Sequence, residues 1–140
     1  MSNNVHSTED CFHLGVKALA YNEEGSLLLL QGRRKTGELY WDLPGGRMQQ
    51  GENPEETLRR ELKEEIGLTL PIHLIPFSWH LTPLRIPLGN TSVGVIFFLH
   101  RCHLPPRFAP ILSLDHQAFA WKSSKEAAEL LQIADRLLTL

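Results

Sequence analysis

The strongest constraint in this 140-residue chain lies between Asn53 and Gly67, where the signals of a helix occur in order. Asn53 can cap the helix with Glu56 three positions on, Pro54 suits the first helical position, and Gly67 suits the residue just past the end. The spacing predicts a helix over 54–66, entered from the glycine pair Gly45 and Gly46. At about 100° per residue, Glu61, Glu64 and Glu65 share roughly one 100° arc, and Leu58, Leu62 and Ile66 form the adjoining apolar stripe. Such a helix buries one edge and carries, beside it, three carboxylates that repel one another.

The flanking segments read mainly as strands. "HLGVKALAY" (13–21) and "SLLLLQ" (26–31) enclose the turn signal "NEEG" and predict a hairpin. "GRRKTGELY" follows as a polar loop, and "YWDLP" as a short strand into the glycine pair. "IHLIPFSWHL" (72–81) and "TSVGVIFFLHRCHL" (91–104) are further strands, "PPRFAP" is a loop, and "AFAW" is a short strand. Ser123 and Glu126 form a second capping box, with Ala127, Leu130, Leu131, Ala134, Leu137 and Leu138 on the apolar face of a terminal helix that should pack on the sheet. Strands, helix, strands, helix, with no internal repeat and no regular βαβ alternation, predict an α/β (α+β) fold with a mixed sheet covered by helices.

The length fits a single domain over 1–140, with the polar "MSNNVHSTED" as a flexible start at 1–10. That start lacks the basic and apolar regions of a secretory signal, and no apolar run reaches the roughly 18 residues of a membrane span. Cys11 and Cys102 show no metal-ligand spacing and read as free thiols in a reducing cytoplasm. The net charge of -2 offers no basic face for nucleic acid. Charge distribution is more telling, because six of the sixteen acids lie in 46–68 while 69–114 has none. That acid-free stretch carries Arg85, Arg101, Arg107 and four histidines; were the two regions to meet, the arrangement would suit a metal ion and a phosphorylated ligand.

The plainer reading of the acidic helix is a solvated face with local pairs such as Arg60 and Glu64. It leaves unexplained why carboxylates border the apolar edge and why the helix starts from glycines. A hard divalent cation takes oxygen ligands and would relieve the crowding, while glycines let the backbone approach a ligand closely.

The residues also match the pattern G-x5-E-x7-R-E-U-x-E-E-x-G-U, U being apolar, through Gly46, Glu52, Arg60, Glu61, Leu62, Glu64, Glu65, Gly67 and Leu68. This is the Nudix box, and the chain resembles the Nudix hydrolases; "YWDLPGG" and the C-terminal "AFAW" with "SSKEAAEL" are similar to the family as well. The resemblance implies an αβα sandwich around a mixed sheet and hydrolysis of a nucleoside diphosphate linked to X with Mg²⁺, or Mn²⁺ as a substitute. By position it implies metal ligation by Glu61, Glu64, Glu65 and the Gly46 carbonyl, with Glu52 and Arg60 in support and Glu52 sometimes touching metal. It also implies a small-molecule nucleotide or diphosphate partner, and it allows a homodimer, since many members pair.

Bound metals would activate a water and clamp the phosphates, and crowding would raise the pKa of at least one carboxylate before they bind. The general base of the family is a box glutamate or an acid in a later loop. Beyond Leu68 the acids are Asp115, Glu126, Glu129 and Asp135, and Asp115 alone is placed on a loop. Its neighbour His116 is an alternative base or phosphate donor, and an ordinary turn Asp is the plainer reading. Arg33, Arg34 and Lys35 follow the second strand, where the family often carries a substrate-facing basic residue; loop cations are otherwise simply solvated. Gly45 lies where backbone meets ligand. Phe77 and Trp79 could stack on a base or belong to the core. His80, His100 and His103 read as structural.

Marks of substrate are sparse. Pro83, fifteen residues past Leu68, fits the ADP-ribose and nucleotide-sugar branch, whereas no tyrosine follows Tyr40, against the dinucleoside polyphosphate branch. A compact chain most resembles the nucleoside triphosphate pyrophosphohydrolases, including those that clear oxidised nucleotides. The alternatives are the ADP-ribose branch and a non-catalytic module that binds a phosphorylated ligand.

Overall fold

Strand β1 (Phe12–Tyr21) organises the molecule because from Gly15 onward both of its faces are buried and, apart from Lys17, apolar. Val16, Ala18 and Ala20 point to one side, and Leu19 and Tyr21 to the other, as the two-residue period of a strand requires. The computed structural model describes residues 8–132 and 138, within which β1 is followed by β2 (Leu27–Arg33), β3 (Leu39–Asp42), β4 (Gly45–Arg47), α1 (Pro54–Ile66), β5 (Ile75–Leu88), β6 (Thr91–His103), β7 (Ala118–Lys122) and α2 (Ser124–Leu131). β1 runs parallel to β6 along ten residues and antiparallel to the short β4 on its other edge. β2 closes the expected hairpin with β1 and lies between β3 and β7, while β5 pairs with β6 at the far edge.

The mixed seven-stranded sheet carries one helix on each face. α1 lays Leu58, Leu62 and Ile66 onto Val16, Ala18, Ala20, Leu28 and Leu30. Each such side chain contributes about 1.5–3 kcal/mol by leaving water. On the opposite face Ala127 of α2 packs with Leu19, Tyr21, Leu27 and Leu29, and the Tyr21 hydroxyl donates to the Leu138 carbonyl at 2.6 Å. Among the described residues no helix is long and apolar enough to cross a membrane.

The helix over 54–66 forms with every expected signal in place. Asn53 accepts from the Glu56 amide, the Glu56 side chain accepts from the Asn53 amide, and Gly67 stands in the left-handed region at φ 73°. α2 has the same reciprocal cap through Ser123 and Glu126. α2 ends at Leu131, where Gln132 turns left-handed; of its expected apolar face Leu130 is exposed, whereas Ala127, Leu131 and Leu138 pack inward. Ala134, Asp135 and Leu137, like residues 1–7 of the expected N-terminal arm, lie outside the described residues.

Two strand boundaries also differ. The loop expected from Gly32 to Tyr40 narrows to 34–38, because Gly32 pairs with Tyr40 and Arg33 with Leu39. The strand expected over 72–81 runs instead from Ile75 to Leu88, with irregular register at Pro76/Ser78 and Leu81/Arg85. Prolines that would break a central strand are tolerated here because β5 is the sheet edge. The cysteines are free, Cys11 exposed and Cys102 buried, and burial pushes the Cys102 thiol up to about 12.

Candidate active site

The glycine pair opens β4 immediately beside β1, where backbone has no room to spare. Gly45 adopts φ 139°, and a Cβ there would collide with the Val16 carbonyl and press on Lys17. A Cβ on Gly46 would stand 2.5 Å from the Glu61 carboxylate. Glycine at both positions therefore permits the contact between β4 and the acidic arc of α1. The Gly45 amide donates to Glu65 Oε1 at 2.8 Å and ties the two elements together.

Arg60 gathers the other carboxylates. Its Nε donates to Glu52 Oε2 at 2.7 Å and its Nη2 to Glu52 Oε1 at 3.0 Å, while Nη1 reaches Glu61 Oε1 at 2.8 Å and Glu64 Oε2 at 3.4 Å. Nη2 also donates to the Arg47 carbonyl. Glu52 further accepts from the Gln49 amide and the Thr57 hydroxyl. The Arg60 guanidinium and these donors hold the Glu52 carboxyl at about 2, and the same contacts raise the pKa of Arg60. The repulsion built into the helix is thus answered chiefly by one arginine one turn away.

Glu65 stands in different surroundings. Burial pushes its carboxyl up to about 7; the Gly45 amide and the Lys17 charge oppose that shift, while Glu61 and Asp42 add to it. His116 lies against it, with Nε2 3.9 Å from Glu65 Oε2 and a side chain only 9% exposed. Burial lowers the His116 pKa, with Asp42 and Asp115 opposing, so the imidazole is neutral near pH 7 and the contact is no salt bridge there. Among the described residues its Nδ1 has no hydrogen-bond partner.

A lysine and an aspartate that sequence reasoning missed complete the floor. Lys17, in the middle of β1 and 7% exposed, donates to Asp42 Oδ2 at 2.9 Å and to the Leu43 carbonyl at 3.4 Å. Its one signal in the sequence was a charge inside the apolar run "GVKALAY". The expected cationic wall from 69–114 does not take this position: Arg85 pairs with Asp10, Arg101 stacks over Phe77, and Arg107 donates its amide to Glu23.

The remaining candidates fall at varying distances from this centre. Asp115 is exposed, next to His116 on the loop before β7. Arg33 donates to the Gly37 carbonyl and to Gln117 Oε1, which links the end of β2 to that same loop. Arg34 pairs with Glu38 and lies over the Tyr40 ring. Trp79 is 62% exposed on β5, separated from β4 by β1 and β6, so it neither joins the core nor reaches the acidic arc. Phe77 packs in the α2-side core, His100 is buried, and His103 is exposed beside Tyr21.

Among the described residues no three acidic, histidine or cysteine side chains converge into a ready metal cluster. The donor set nevertheless suits a hard cation: all-oxygen carboxylates on one helix arc, pressed against a glycine whose missing side chain leaves its backbone within reach.

A family model described as NUDIX domain matches residues 12–139. The CTP pyrophosphohydrolase of Escherichia coli (strain K12) is 28% identical over 115 residues, which cover 81% of this chain and 78% of that protein. The octanoyltransferase of Myxococcus xanthus is 30% identical over 114 residues, but the match spans only 29% of its length and 77% of this chain. Among solved structures, the MutT protein from Methanosarcina mazei Go1 superimposes with a TM-score of 0.71 at 25% identity, covering 94% of each chain.

Proposed function

We propose, from the premise that this chain belongs to the NUDIX domain family and is a hydrolase of phosphoric anhydride bonds, that it is a nucleoside triphosphate pyrophosphohydrolase dependent on Mg²⁺. The observation that carries this reading is the acidic arc of α1 seated on the Gly45–Gly46 turn, with Glu65 fastened to the Gly45 amide. Support for the substrate class comes from a relative acting on CTP that aligns with most of this chain. Glu61, Glu64, Glu65 and the Gly46 carbonyl would hold the ion, with Glu52 in support. When bound, that ion would activate water and neutralise charge on the phosphates.

The chain's own residues divide the remaining work. Arg60 gathers Glu52, Glu61 and Glu64 in the absence of an ion, and Glu61 and Glu64 would turn from it to hold one. Glu65, His116 and Lys17 line the inner wall, where burial strengthens every charge interaction. Arg33, tied to the loop of Asp115 and His116 through Gln117, would meet phosphate oxygens from the strand side. The proton acceptor is a box carboxylate or Asp115, and the two assignments differ in what Asp115→Asn does. If Asp115 accepts the proton, kcat falls while KM holds; if a box glutamate does, kcat is unchanged.

The decisive experiment is phosphate and pyrophosphate release across nucleoside triphosphates, oxidised triphosphates, ADP-ribose and other capped diphosphates, with Mg²⁺ and with Mn²⁺. Pyrophosphate release from triphosphates, abolished by Glu64→Gln without loss of fold, is the expected result. Preferred turnover of ADP-ribose would move the chain to that branch, and no metal-dependent turnover of any substrate would make it a binding module.

A further inference from the structure

A lysine ammonium buried in the central strand of a sheet is costly unless the fold uses it. Lys17 is the cation on the sheet side of the glycine turn, and its contacts are specific. The ammonium joins Asp42, the last residue of β3, to the Leu43 carbonyl, the first step of the connection into β4. Its side chain runs under Gly45, where an added Cβ would stand 3.0 Å from Lys17 Cδ. Lys17 and Gly45 are also register partners across β1 and β4, and the next β1 amide, Ala18, donates to the Pro44 carbonyl. One side chain thus braces Asp42, Leu43 and Gly45, and Gly45 in turn presents its amide to Glu65.

We propose that Lys17 is a positioning residue for hydrolysis: through Asp42, Leu43 and Gly45 it fixes the height of the glycine turn, and so the placement of Glu65 and of the Gly46 carbonyl. The inference rests on the hydrolase reading of the same site. Because Lys17 acts through the turn, its loss falls on the placement of oxygens around the reacting phosphate, and substrate affinity changes little. A purely structural ion pair behaves differently. Removing one partner of such a pair destabilises the fold, and removing both restores it, with nothing left over for catalysis.

The test compares Lys17→Met with the double variant Lys17→Met/Asp42→Asn, which leaves no unpaired charge. Unfolding midpoints, Mn²⁺ affinity by electron paramagnetic resonance, and kcat and KM are measured for both and for the full-length wild type. The expected result is a double variant that regains most of the stability lost in Lys17→Met, yet binds Mn²⁺ about fivefold or more weakly and turns over about tenfold or more slowly at a KM within about threefold of wild type. Recovery of wild-type Mn²⁺ affinity and kcat together with stability would overturn the proposal and leave Lys17 as a strut. Should the single variant not fold, the double variant carries the comparison. Absence of turnover in the wild type would defeat the hydrolase reading alone, since the Mn²⁺ affinity ratio still decides the role of Lys17.

Discussion

The two outer strands of the β4-β1-β6-β5 run are built on opposite terms. β4 has three residues, and its backbone is locked between β1 and α1. β5 has fourteen, three of them proline, with two irregularities in register and Ile75, Trp79, Leu81, Leu84 and Leu88 all exposed. The candidate site lies at the short edge, where positions are over-determined by neighbours on both sides. The long edge has freedom to bend; Asp10 pairs with its Arg85, and the glutamates of α1 stay away from it.

Glycine substitution should separate the edges most sharply. Gly45→Ala forces a side chain into φ 139° and into the Val16 carbonyl, and should cost about 3 kcal/mol or more with loss of activity. Gly89→Ala, in the β5–β6 turn at φ 63° with open space around it, should cost only about 1 kcal/mol. Urea unfolding measures both, and equal costs would break the comparison.

The next effect is a pH dependence centred on the β4 edge. Glu65 titrates near 7 in the fold and near 4.5 when unfolded, so the folded state holds the extra proton between those values. Its contribution is fully present below about pH 4.5 and is lost as pH rises through 7, a change on the order of 3 kcal/mol in metal-free protein. Glu52 works in the other direction: its stabilising pairing with Arg60 is present above about pH 4.5 and is lost as pH falls toward 2. Burial lowers the pKa of His100 and His116, which makes stability rise with pH up to about 6.5. The test is therefore a difference: in chelator from about pH 4.5 to 8 the wild type should lose stability relative to Glu65→Gln. Parallel profiles would show that Glu65 is not the group.

Smaller effects sharpen the contrast in catalysis. Glu61→Gln and Glu65→Gln should each lower kcat by about tenfold or more at saturating metal. Trp79→Ala on the long edge should leave KM within about threefold, because two strands stand between β5 and β4. Wild-type kcat in both glutamine variants would remove the acidic arc from catalysis. A large rise in KM for Trp79→Ala would bring the far edge into substrate binding.

What the sequence revealed follows the same division. α1 was legible because its cap, its first-turn proline and its terminal glycine are all local, and each acts within four residues of the helix end it controls. The acidic arc was legible for the same reason, as an angular consequence of spacing. The Lys17–Asp42 pair was not, since the partners lie 25 residues apart and only the pairing of β1, β2, β3 and β4 in the sheet brings them together. β5 beyond Leu81 was hidden by Pro83 and Pro87, residues that deny strand propensity and that an edge alone accommodates. The terminal helix could be started from Ser123 and Glu126 but not ended, because Gln132 rather than glycine takes the left-handed position.

Those prolines have a consequence for how the protein behaves in a crowded solution. An exposed strand of fourteen residues with five large apolar side chains is the kind of template on which another chain can add itself and continue the sheet. Pro76, Pro83 and Pro87 have no amide hydrogen, and the register breaks beside Pro76 and Pro83 prevent a long flat run. A strand trying to extend the sheet would find donors missing at three places, so the prolines act as gatekeepers against self-templated aggregation while the apolar surface remains exposed.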